Sequence, residues 1–292
     1  MKAIFKSSVL AAALALLATV SCCLSGCGAE REEKAGSGTD RDGRFVLVEA
    51  YGVNDLGSMS RMTYQYDDAG MMLSSKSEGE YPNGVEYDVD RNEYTYSEDG
   101  KSGQINSYVN DELVYTVDLK LDKNKQVSET TWYDPDGKAY AYQTYDYDKN
   151  GYCIESKTIR LPSEEREQEY ECVYDDNGNK QKEVQRFQDG SEKRWVYTYD
   201  EDGFLMQIDF WNQDSDTTMH EYALCGYDED EGVLTEEWYD ENGDFLSRHE
   251  LEYDKHGNIV KESVYYQDGT LASTTTMKYL WIKGSGRDMW GG

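Results

Sequence analysis

The sequence predicts an all-β chain, an antiparallel β-meander of about 18 short strands built from repeats of about 26 residues. Three observations predict it. Tyr-x-Tyr-Asp-x-x-Gly, plainest as Tyr145-Asp146-Tyr147-Asp148-Lys149-Asn150-Gly151, recurs with drift along the chain. A second turn signal lies midway between successive copies, and the three prolines, Pro82, Pro135 and Pro162, all fall in turns, where a missing N–H costs nothing.

The copies end at Gly70, Gly100, Lys125, Gly151, Gly178, Gly203, Glu231 and Gly257, in steps of 30, 25, 26, 27, 25, 28 and 26 residues. Within a copy the two aromatic or apolar residues are separated by one polar residue, so they share one face of an extended strand. The Asp-x-x-Gly that follows is hairpin chemistry: Asp bonds nearby backbone and Gly takes the left-handed position. The intermediate turns are Asn83-Gly84, Asn110-Asp111, Asp136-Gly137, Pro162-Ser163, Asp189-Gly190, Gln213 to Asp216, Asn242-Gly243 and Asp268-Gly269. Each unit reads strand, turn, strand, turn, and the segments 44–53 and 61–67 open the series.

Two stretches break phase. Tyr87 and Val89, and Tyr140 and Tyr142, alternate out of step with the tyrosine pairs that end their strands, which predicts either a bulge or exposed tyrosines. Tyr140 and Tyr142, if outward, are the ligand-facing aromatics to expect.

A flat sheet of this many strands would be about 85 Å wide at about 4.8 Å per strand, and open sheets rarely exceed about ten strands without curling. The tyrosine face also needs cover. The sheet therefore wraps, as a flattened barrel, a folded two-layer sandwich or an open spiral; a round barrel would be roughly 35 Å across, too wide for tyrosines to fill. A membrane-spanning barrel is disfavoured because Glu, Gln, Lys and Arg interrupt the strand faces.

The chain opens with Lys2 and Lys6, an apolar run from Val9 to Val20, then Leu24-Ser25-Gly26-Cys27. The charged start and short apolar core predict a secretion signal over 1–26, and the last four residues resemble the bacterial lipobox, which makes Cys27 the lipidated, palmitate-bearing residue. Residues 27–44 read as a lipidated Cys and a disordered tether, 45–283 as the repeat domain and 284–292 as a flexible tail. The expected site is the bacterial cell envelope, outside the cytoplasm, with acyl chains as the membrane partner.

Removing Lys2 and Lys6 from 29 basic residues leaves 27 against 59 acidic ones, a net charge of −32 for the exported chain. That excludes nucleic acid and charge-driven binding to anionic lipid, which need Lys/Arg clusters. It fits a solvated surface, with a cell-surface glycan or protein as the partner to expect.

After Cys22 and Cys23 leave with the signal and Cys27 is lipidated, Cys153, Cys172 and Cys225 remain. With the turn centred between Pro162 and Ser163, Cys153 and Cys172 fall opposite each other on the tyrosine face. They read as a cross-strand disulfide or as two buried thiols; Cys225, opposite Leu205, reads as a lone core thiol.

Asp146-x-Asp148-x-Asn150-Gly151 matches the first half of a calcium loop, but Lys157 stands where a bidentate Glu is needed and the flanks are strands. Weak calcium binding stands beside the simpler reading, hairpin chemistry. His220, His249 and His256 lack metal-ligand spacing, and no nucleophile–base arrangement or phosphate loop is present. The expectation is a non-enzymatic scaffold, with carbohydrate or peptide binding along a tyrosine-lined groove as the alternative.

Tyr147-Asp148-Lys149-Asn150-Gly151, Tyr174-Asp175-Asp176-Asn177-Gly178, Tyr199-Asp200-Glu201-Asp202-Gly203 and Tyr253-Asp254-Lys255-His256-Gly257 resemble the YD repeats of the RHS family, over about 61–282. The resemblance implies a β-sheet shell or surface structure. The chain is much shorter than shell-forming members and carries no toxin segment or self-cleaving core, so toxin delivery is not implied.

Overall fold

The computed structural model describes residues 43–214, 217–228 and 231–283. Cys27, the signal stretch, most of the tether and the 284–292 tail lie outside the described residues. All regular structure within them is β. The strands are β1 Gly43–Asn54, β2 Met59–Tyr66, β3 Met72–Glu80, β4 Asp90–Tyr96, β5 Ser102–Val109 and β6 Glu112–Leu121. Then follow β7 Val127–Tyr133, β8 Ala139–Tyr147, β9 Cys153–Arg160, β10 Glu165–Tyr174, β11 Lys180–Phe187 and β12 Glu192–Tyr199. The last six are β13 Leu205–Gln213, β14 Thr218–Asp228, β15 Val233–Asp240, β16 Phe245–Tyr253, β17 Ile259–Tyr266 and β18 Leu271–Lys283.

Every strand pairs antiparallel with its neighbours in sequence, and β1 also pairs with β18, from Gly43↔Lys283 to Asn54↔Ser273. The sheet is thus a closed up-and-down barrel. Of the three ways to wrap, the chain takes closure, which leaves no unpaired sheet edge. The strand count is even, as a meander needs if its last strand is to meet its first antiparallel.

The turns sort onto two rims. The turns that follow the Tyr-x-Tyr motif form one rim, where residues 43 and 283 also lie; the intermediate turns, which at Asp134 and Asp240 are Asp-x-x-Gly as well, form the other. At the repeat's plainest copy, the Asp148 N–H donates to the Tyr152 carbonyl (2.9 Å) and the Gly151 N–H to the Asp148 carbonyl (3.1 Å). Asp148 Oδ1 accepts the N–H groups of Asn150 (2.8 Å) and Tyr152 (2.9 Å). One carboxylate oxygen therefore satisfies two donors, and Gly151 holds φ at 94°, where a side chain would be strained. The same two bonds recur at Asp67, Asp122, Asp134, Asp175, Asp200, Asp240 and Asp254.

Beside these turns the ladder bulges by one residue, for instance between Gln65 and Tyr66, Asp146 and Tyr147, and Thr198 and Tyr199. The extra residues on the partner strands, Leu73, Ile154 and Met206, are exposed apolar side chains. The second tyrosine of the motif then reaches back one strand: the hydroxyls of Tyr66, Tyr96, Tyr147 and Tyr199 donate to the carbonyls of Leu47, Met72, Val127 and Lys180 at 2.7–3.0 Å. These bonds explain why the position is Tyr rather than Phe: the ring packs and the hydroxyl stitches adjacent strands.

The tyrosine face is the inside. Following the register around the ring, nearly all buried residues share it, in two apolar clusters. One spans β4–β8 with Tyr94, Ile105, Tyr115, Val117, Leu119, Trp132 and Ala141; the other spans β13–β15 with Leu205, Ile208, Ala223, Cys225 and Leu234. The deepest side chains include the aliphatic Leu119 at 1% and Val127 at 0% exposure beside the polar Thr130 and Gln126. The core is therefore less purely aromatic than the composition suggests. Burial pushes the Tyr94 hydroxyl up to about 12.

Candidate functional site

The outward face is polar and charge-paired at mid-strand. Glu49 sits between Arg61 (2.8 Å) and Lys278, Arg186 bonds Glu171 (2.9 Å) and Glu192 (3.1 Å), Arg248 bonds Glu250 (2.9 Å), and Lys261 bonds Glu252 (2.6 Å). Lys76–Glu78, Arg91–Glu93, Lys120–Glu129 and Lys157–Glu155 continue the ladder. Exposed pairs of this kind add little stability, about 0–1 kcal/mol each. Their consequence is environmental: a Lys or Arg facing lipid costs about 2–4 kcal/mol near the bilayer midplane, and here the charges circle the whole barrel. This outer wall is built for water. Among the described residues no helix is long and apolar enough to cross a membrane.

The aromatics expected to face a ligand part company. The ladder bulges between Trp132 and Tyr133, leaving Tyr140 without a Cα partner, and its ring turns inward against the β4–β8 cluster. Burial pushes its hydroxyl up to about 12. Tyr142 stays on the outward face, opposite Thr131 and Ile159, so no pair of exposed tyrosines forms there. Tyr87 is not in a strand; it lies in the 81–89 loop, its ring 4.3 Å from that of Tyr81.

Cys153 and Cys172 both face inward, but no disulfide joins them. A bulge between Arg166 and Gln168 slips the β9–β10 register by one, pairing Glu171 with Glu155 and taking Cys172 out of line with Cys153. Burial raises the Cys172 thiol above its usual range. Cys225 packs in the same cluster as Leu205.

The calcium-loop residues are not brought together. Asp146 lies on the outward face opposite Glu155, and Asp148 caps its own turn, with Asn150 as one of the capped donors. Among the described residues the one group of three acidic ligand atoms within 4.8 Å is Glu155, Glu169 and Glu171. Lys157, Arg166 and Arg186 already pair with these carboxylates.

A concavity among the described residues lies elsewhere. A cavity of about 410 Å³ opens on the inward face of β12–β16, lined by Trp195, Phe210, Glu221, Trp238, Leu246, Ser247 and His249. All sit near the strand ends at the intermediate-turn rim, opposite the rim that holds residues 43 and 283. The register assembles the site: Trp195 faces Phe210, Phe210 faces Glu221, Trp238 faces Ser247, and His249 faces Glu236. Trp195 and Phe210 have ring centroids 4.9 Å apart. Asp240 lies opposite Glu221.

Behind the lining, burial raises the Glu236 carboxyl above its usual range, the Trp238 indole offsets part of this, and the Glu262 charge adds to it. Burial likewise holds the His249 imidazole below its usual value against the pull of Glu262, whose Oε1 is 3.8 Å from His249 Nδ1. The Trp238 indole N–H is buried beside the Glu236 carboxyl, to which it acts as a donor. Sequence reading passed over this group. Its signal was present in the parity: indole replaces tyrosine at the rim end of the inward face, and Glu221, Glu236, His249 and Glu262 fall on that same face.

No protein-family model and no curated protein matches the chain. Among solved structures, a porin-like protein from Bacteroides uniformis is similar at 10% identity and a TM-score of 0.45, with 81% of this chain and 98% of that one covered. A porin-like protein from Bacteroides vulgatus is similar at 12% identity and a TM-score of 0.40, over 80% and 98%.

Proposed function

We propose that the chain is an exported lipoprotein of the bacterial envelope, anchored through acyl chains at Cys27, whose barrel stands in water as a surface scaffold for binding. The observation that carries this reading is the outward wall of paired charges, which has no place in hydrocarbon. With the wall excluded, membrane attachment falls to the lipobox-like Leu24-Ser25-Gly26-Cys27. The repeat motif supports kinship with the YD repeats of the RHS family, here as a single small closed shell without a toxin. The partners this surface suits are a cell-surface glycan or protein, and the barrel acts without catalysis. Binding along a groove of exposed tyrosines is the less favoured route, since Tyr140 turns inward.

The test is fractionation. The parent chain is expected in the membrane fraction and resistant to carbonate washing, whereas Cys27→Ala is expected in the soluble fraction. Retention of the variant in washed membranes would show that the barrel itself is embedded and would overturn the reading.

A further inference from the structure

We infer that the indole-lined cavity at the intermediate-turn rim is a binding site for a small organic cation, an amine or quaternary ammonium group. This goes beyond the scaffold reading and does not depend on how the chain is attached to a membrane.

Trp195, Phe210 and Trp238 bring three π-systems to one cavity, and the face of an aromatic ring attracts a cation held within about 6 Å. Glu221 stands in the same wall, opposite Phe210 on one side and Asp240 on the other, so a carboxylate meets the aromatic surface. No Lys or Arg lines the cavity. Arg194 and Arg248 face outward, over Trp211 at 4.3 Å and Tyr265 at 4.6 Å, while Lys193, opposite Asn212, shares the inward face with Trp195 one step nearer the rim and lies outside the lining. Burial lowers the His249 imidazole below its ordinary value, which disfavours an opposing charge there.

Size and polarity narrow the class. About 410 Å³ is in the range of small-molecule sites, and the wall's charge repels anions. The overall charge of −30 adds a long-range field that draws cations toward the mouth. The outward ladder of Trp211, His220, Tyr222 and Tyr239 is a poorer site, because all four rings stack on one another: Trp211 with His220 at 4.7 Å and Tyr222 with Tyr239 at 5.4 Å.

The experiment is calorimetric titration of the full chain, purified in detergent, with choline and with its uncharged isostere 3,3-dimethylbutan-1-ol. Choline is expected to bind at least about tenfold more tightly, the worth of a cation–π contact and one carboxylate. Glu221→Gln is expected to remove most of that preference while leaving the isostere's affinity unchanged, and Trp238→Leu to weaken both. Glu252→Gln, on the outward face, is the control and is expected to bind like the parent; circular dichroism shows that each variant keeps its sheet. Equal affinity for the two probes, tighter binding of glucose than of choline, or no heat from choline at 100-fold molar excess would each overturn the inference.

Discussion

A carboxylate such as Glu236 is an unusual residue to find on the inner face of a barrel. Removing it from water disfavours its charged form, and the neighbouring Glu262 adds to the cost, so its native pKa lies above the ordinary value. The sign of the linkage follows. A carboxyl whose pKa is raised on folding contributes stability that is fully present below about pH 4, and that contribution is lost as the pH rises through the raised native value. Glu236→Gln has no proton to lose. It is expected to be more stable than the parent at pH 7 and to approach it toward pH 4, as read from urea midpoints at the two pH values; an equal difference at both would show that desolvation is not the cause. The His249 opposite shifts the other way, so its stabilising contribution is present above its ordinary pKa of 6.5 and is lost as the pH falls. At this scale the sequence was least legible. Tyr140 and Tyr142 differ by two positions and look alike, yet one bulge beside Tyr133 sends them to opposite faces, and no local property of either residue announces it.

At the scale of the element, the repeat is a strand end, an Asp-capped turn and a stitch to the preceding strand. Tyr147 illustrates the last part, with its hydroxyl 2.7 Å from the Val127 carbonyl. Tyr147→Phe keeps the ring and removes the bond, for an expected loss of about 1 kcal/mol. Tyr142→Phe, on the outward face, is expected to change stability by less than about 0.5 kcal/mol. Denaturant unfolding of the two variants checks both values, and equal losses would mean that the stitch contributes nothing. Elements were the most legible part of this chain, because the period-2 pattern and the Asp-Gly turns each specify local geometry. Turns arose where Gly, Asn-Asp or Asp-x-x-Gly stood; even Lys125, in the place of a motif Gly, takes φ 69° and holds the turn. Side-chain pairing across strands was legible only until a bulge intervened, as Arg166 and Gln168 show by separating Cys153 from Cys172.

For the whole molecule, closure was the step that local patterns left open. β1 lacks the motif, and the residues that pair it with β18 are more than 200 positions away, so nothing in the repeat marks Gly43–Asn54 as the seam. What closure demands is parity. Deleting 152–178 removes one repeat with β9 and β10, joins Gly151 to Asn179 and takes the ring from eighteen strands to sixteen. That variant is expected to fold as a monomeric all-β protein of smaller radius. Deleting β9 alone leaves an odd number, for which antiparallel closure fails, and is expected to aggregate through its open edge. Circular dichroism with gel filtration distinguishes these results; a well-behaved odd-stranded monomer would show that the seam between β1 and β18 is dispensable.

That seam also fixes which way the molecule points. Because Gly43 and Lys283 lie side by side on the rim of the motif turns, any tether joined to the front of the ring would hold it by the same end at which residue 283 lies. The cup of indoles opens at the other end, so under the proposed anchorage at Cys27 a guest arriving from outside the cell would meet the cup first and the lipid last.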